Sequence, residues 1–257
     1  MNVTAVIATL IALLGGFAVG STLSINDTRD ITKISNQAQE RFISENPKAE
    51  DFVSLRPSIS TLPSEALSIE EREGLLLMRE EEKLARDVYQ TLYEQWKLKI
   101  FSNIAQSEQT HTEAVRDLLI KYNIDDPVTD DTIGVFTNPT FKKLYDTLVT
   151  QGSESEVAAI IVGATIEDLD IRDLQELIAQ TNNQDITLVY ENLTRGSRNH
   201  LRAFTRQLTE WGEAYTPQYL STTTYQEIIN NDREMGSGNQ TNGYGKNGRG
   251  WGERGGL

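Results

Sequence analysis

The chain has two histidines, and each falls on the inward side of a helical hydrophobic pattern with carboxylates close by. Glu108 and His111 are spaced i, i+3, so in a helix they sit about 60° apart on one face and can grip one ion. His200 lies in a second helical pattern, on the face shared by Ile186, Val189, Leu193, Ser197 and Phe204. Leu77, Glu81, Leu84, Ala85, Val88 and Leu92 also share a face, which directs Glu81 inward and Glu80 and Glu82 about 100° to either side. Glu167 and Asp170 repeat the i, i+3 spacing. Carboxylates with imidazole favour iron, manganese or zinc over metals that prefer soft ligands. Bridging carboxylates can hold two divalent ions close together inside a dry bundle, where unpaired carboxylates would be costly to keep ionised.

Long helix-forming segments separated by turn signals must position these residues. Ser68 with Glu71 has capping-box spacing and predicts a helix to about Trp96. A second helix is expected from about Ser102 to Tyr122, and a short one from about Pro139 to Thr150 after a connection marked by Asp125-Asp126-Pro127 and Gly134. Ser153 with Glu156 predicts the start of the helix carrying Glu167 and Asp170, and the last core helix runs from about Asp185 to Trp211. No alternating strand pattern interrupts them, so the core is all-α.

The 257 residues carry a formal charge of −14, which argues against nucleic-acid binding, since that needs clustered Lys and Arg. With no cysteine, any metal is held by carboxylate, imidazole, carbonyl or water. The first 26 residues carry no charged side chain, and Val3 to Val19 is nearly all apolar. Residues 1–23 therefore read as a signal peptide or a membrane anchor, and the body as exported, either secreted or tethered. Membrane contact is expected only through this segment. Residues 24–66 read as a linker with one short helix around Ile31 to Ile43, residues 67–220 as the helical domain, and residues 221–257 as a Gly/Asn-rich disordered tail bearing Tyr244 and Trp251.

Four blocks in order, Arg79 to Tyr89, Asn103 to Val115, Val162 to Ile171 and Gly196 to Phe204, resemble the ferritin-like family called domain of unknown function 2202. The resemblance spans about Leu67 to Leu220. It implies a ferritin-like antiparallel four-helix bundle with a short extra helix in the middle connection. It implies no reaction.

The broader ferritin-like di-iron pattern has one Glu on each of two helices and Glu-x-x-His on the other two. Glu81 and Glu167 match the single glutamates, and Glu108 with His111 matches one pair. Ser197, not Glu, stands three residues before His200, so that pair is incomplete. Asp170, one turn beyond Glu167, can substitute if the helices are in register; otherwise one metal or zinc is the better fit.

Three functions follow. The first is a dinuclear iron or manganese centre held by Glu81, Glu108, His111, Glu167, Asp170 and His200. It would carry out ferroxidase-like or peroxidase-like chemistry on dioxygen or peroxide, with Tyr89 or Tyr190 near enough to pass an electron. The second is a non-enzymatic exported module that binds a partner or stores metal. The third is a structural bundle whose acids and histidines pair with Arg86, Arg198 or Arg202.

Overall fold

The computed structural model describes residues 56–235, and these are helical with no strand. The helices are α1 (Arg56–Thr61), α2 (Ile69–Trp96), α3 (Lys99–Lys121), α4 (Pro139–Gly152), α5 (Glu156–Ile178), α6 (Gln184–Glu210) and α7 (Thr222–Asn230). Among the described residues no helix is long and apolar enough to cross a membrane. The leader, most of the linker with its short helix around Ile31 to Ile43, and the tail with Tyr244 and Trp251 lie outside the described residues.

Local chemistry sets the helix ends. At α2 the Glu71 amide donates to Ser68 Oγ at 3.0 Å and the Ser68 amide to Glu71 Oε2 at 2.8 Å, closing the expected capping box. Lys97 ends α2 in the left-handed region at φ 56°, and the chain enters α3 at Lys99, three residues before the sequence expectation. The cap of α5 is Ser155, whose hydroxyl accepts from the Ala158 amide at 3.0 Å, and not Ser153, which ends α4.

Both edges of the helical domain also move outward. Part of the expected linker is packed on the domain: Ile59 is buried, and Lys121 Nζ donates to the Ile59 and Leu62 carbonyls, each at 2.9 Å. Residues 222–230 form α7 rather than tail, because Tyr225 and Ile228 supply an apolar face that joins the core. Arg202 fixes α7 by donating to the Ile228 carbonyl at 2.7 Å.

The four long helices form a ring in which α2 packs on α3 and α5, and α6 packs on α5 and α3. Two apolar cores fill it. One gathers Leu75, Met78, Val115, Leu118, Ile186 and Val189; the other gathers Val88, Tyr89, Phe101, Ile160, Leu201 and Phe204. The order in which each helix meets the two cores makes every neighbouring pair antiparallel. Since α3 and α5 then run in the same direction, the connection 122–155, with α4 in it, must cross the length of the ring.

Candidate metal centre

The two cores are separated by a polar layer. Glu82 on α2, Glu108 and His111 on α3, Glu167 on α5 and His200 on α6 all lie in it, each no more than 2 % exposed. Glu82, Glu108 and His111 offer ligand atoms within 4.8 Å of one another, and so do Glu108, Glu167 and His200. Glu108 belongs to both groups. Its Oε2 is 2.7 Å from His111 Nδ1 and its Oε1 is 2.8 Å from His200 Nδ1. Glu82 Oε2 completes one side at 3.3 Å from His111 Nδ1, and Glu167 Oε2 the other at 3.5 Å from His200 Nδ1. The imidazoles stack with centroids 5.7 Å apart.

Backbone proximity sets the ring positions. A Cβ at Gly196 would lie 2.6 Å from His111 Cε1 and 2.7 Å from Nε2, so α6 presses on the far edge of that imidazole and turns Nδ1 toward the carboxylates. On the other side Tyr89 donates to Glu167 Oε1 at 2.6 Å, leaving Oε2 toward His200. Phe101 and Phe204 enclose the phenol. Tyr190 belongs to the opposite core, and its hydroxyl has no hydrogen-bond partner.

The sequence expectation placed Glu81 here, and Glu82 takes that place. Glu81 is buried but lies beside Asp173 and Asp170, outside both ligand groups. Leu77 to Tyr89 is buried without a break, because α3, α5 and the crossover connection together cover α2, so one apolar stripe cannot single out the facing residue. The signal for Glu82 was the seam Leu75, Met78, Glu82, Ala85, Tyr89 and Leu92, spaced alternately three and four. Asp170 is bound through Ser197, whose hydroxyl donates to Asp170 Oδ2. Asp170 belongs to neither of the two ligand groups, although it is close enough for Glu82, Glu167 and Glu108 to act on its carboxyl. The arginines offered as alternative partners turn elsewhere: Arg86 pairs with Asp87 and Asp131, and Arg198 and Arg202 pair with Glu234.

Residues 71–232 match the family described as an uncharacterized protein domain (DUF2202). The chain belongs to the domain of unknown function 2202 family. It is 62 % identical over 178 residues to the uncharacterized protein MJ0754 of Methanocaldococcus jannaschii, a match covering 69 % of this chain and 96 % of that protein. The crystal structure titled hypothetical protein MJ0754 from Methanococcus jannaschii superposes with a TM-score of 0.67 at 62 % identity, over 68 % of this chain and 99 % of that one.

In this domain of unknown function 2202 the charges of the layer do not balance. Burial pushes the Glu82, Glu167 and Asp170 carboxyls up, Glu82 and Asp170 strongly. Burial acts on Glu108 too, but the two imidazoles beside it outweigh it and hold that carboxyl well below the usual range. Burial opposes charge on the histidines, yet Glu108 and Glu167 carry His200 up to about 9, and Glu108 and Glu82 carry His111 well above its ordinary value. Several buried atoms still make no hydrogen bond: Glu82 Oε1, Glu108 Oε1, Asp170 Oδ1 and both His200 nitrogens. His200 Nδ1 and Glu108 Oε1 are 2.8 Å apart without hydrogen-bond geometry. Donor atoms that crowd together without bonding one another are arranged around a third centre, and this set of oxygens and imidazole nitrogens fits a divalent metal.

Proposed function

We propose that this domain is a ferritin-like four-helix bundle that holds a dinuclear iron or manganese centre and uses it for redox chemistry on dioxygen or peroxide. The observation that carries this reading is the pair of buried carboxylate and histidine groups joined through Glu108, with hydrogen bonds left unmade. The topology supports it: neighbouring long helices are antiparallel and a crossover links α3 to α5.

Glu82 and His111 would hold one ion and Glu167 and His200 the other. Glu108, with one oxygen beside each histidine, would be shared between them. Asp170, braced by Ser197, supplies a further carboxylate beside the pair. Bound iron or manganese supplies one-electron steps between the divalent and trivalent states. The chain's own part is to position and to exclude water. The two apolar cores seal the layer on both sides, and Tyr89 holds Glu167 Oε1 so that Oε2 is left toward His200. Each ion would have three protein donors, which leaves positions for a small oxidant and favours turnover over storage.

Elemental analysis of the purified protein, beside a Glu108→Ala/His111→Ala variant, tests the reading. About two irons or manganeses per chain, lost in the variant, are expected, with dioxygen or peroxide consumed by the loaded protein. No metal in the parent protein after reconstitution overturns it. Full loading without consumption leaves a storage module.

A further inference from the structure

The centre is buried, so an ion must reach it through the bundle, and α5 carries a sequence of acids that leads outward. Glu167, Asp170, Asp173 and Glu176 recur every three residues, which spaces them by about 4.5 Å along the helix axis and winds them in steps of about 60° from the inner face at Glu167 to the opposite face at Glu176, about 13.5 Å further along the axis. Glu167 is at the centre, Asp170 and Asp173 are buried, and Glu176 is half-buried at the outer end.

A carboxylate from another helix joins them. Glu81 on α2 is 6 % exposed and lies close enough to Asp173 and Asp170 for both to act on its carboxyl. Its Oε2 has no partner, nor have Asp170 Oδ1 and Asp173 Oδ2. Carboxylate oxygens left without donors along a buried path have no stabilising role in a resting bundle, since each gives up its hydration for nothing. They are what a passing cation requires: hard oxygens a few ångströms apart, each too poorly furnished to trap it. At the outer end Arg172 pairs with Asp173 and lies 5.1 Å from the centroid of the Tyr219 ring. This arginine is a positive charge that an incoming cation must displace.

We propose that Glu176, Asp173, Glu81 and Asp170 form the route by which divalent cations enter the centre from the surface of α5. The inference rests on the reading of the centre as a metal site, and rate separates it from that reading. The experiment follows uptake of Mn²⁺ or Fe²⁺ by the metal-free full chain in stopped flow, together with the final metal content. Asp173→Asn and Glu176→Lys are expected to slow uptake about tenfold while the final content stays at the parent value. Arg172→Ala is expected to speed uptake, an effect that mere loss of a structural ion pair would not give. Glu156→Lys, which makes the same charge change about 30 Å away at the other end of α5, should leave the rate alone. Parent-like rates in Asp173→Asn and Glu176→Lys, or equal slowing by Glu156→Lys, overturn the route and leave the centre standing. A parent chain that takes up no metal overturns both.

Discussion

Helix α2 carries two sets of buried charges, and they are satisfied in opposite ways. On its outer side Asp87, fully buried, accepts from Arg86 Nε at 2.9 Å, from Arg86 Nη2 at 2.8 Å, from the Gly134 amide at 2.9 Å and from Lys83. Lys83 also donates to the Thr132 carbonyl and sits 4.3 Å from the centroid of the Phe136 ring, and Arg79 grips Asp126. Acids and bases are matched, and the network pins the crossover connection to the helix. On the inner side Glu82 faces Glu108 and His111, and one oxygen of each carboxylate, Oε1, is unpaired. Burial of charge is costly in both places. Outside, the chain supplies its own cations. Inside, on the proposed reading, the balancing cations are metal ions.

The largest expected effect breaks the matched set. Asp87→Ala leaves Lys83 and Arg86 buried without their main acceptor and should lower unfolding free energy by about 3–5 kcal/mol in denaturant melts. Metal content per folded chain should be unchanged. A loss of metal together with only a small loss of stability would mean that the two sets are not separate.

The second effect, on the order of 3 kcal/mol, sharpens the contrast through pH. His200 stands at about 9 against an ordinary 6.5 because Glu108 and Glu167 outweigh burial. The folded metal-free protein therefore holds this proton more tightly than the unfolded chain. Its contribution is fully present below about pH 6.5 and is lost as pH rises through about 9. A metal ion competes with the same proton, so the loaded protein should show the reverse, with stabilisation by metal growing over that window. Thermal melts of the two forms across it check the sign. Parallel curves would remove His200 from the ligand set.

The same contrast explains what could be read from sequence. Glu108, His111 and His200 lie on helices with one apolar face and one wet face, so period alone turned them inward. The face of α2 was not legible, because the crossover connection buries its outer side and its charges mimic a surface. For that reason the apolar stripe points to Glu81, whereas the fold brings Glu82 to Glu108 and His111. Asp170 meeting Ser197 depends on the register of α5 against α6, set in part by Phe204 packing where a Cβ at Gly163 would come within 2.5 Å. No pattern within either helix encodes that contact. The boundary at 221 fell early because α7 is short, and its two buried residues acquire meaning only against α6.

The smallest expected effect compares two buried tyrosines, one at the centre and one in the opposite core. Tyr89 donates at 2.6 Å to Glu167 Oε1, whereas the Tyr190 hydroxyl has no partner. Tyr89→Phe keeps the ring among Phe101 and Phe204 and removes one bond to a buried carboxylate, which should cost about 1–2 kcal/mol. Tyr190→Phe removes a hydroxyl that is desolvated for no return, so it should be neutral or slightly stabilising. The difference extends to metal only if the phenol orients Glu167. Freed of it, Glu167 can turn either oxygen toward His200, and the ion on that side should be lost first to a chelator while the ion beside His111 stays. A chelator titration followed by metal analysis reads this directly. Loss of both ions together would assign Tyr89 to the stability of the whole layer rather than to one side of it.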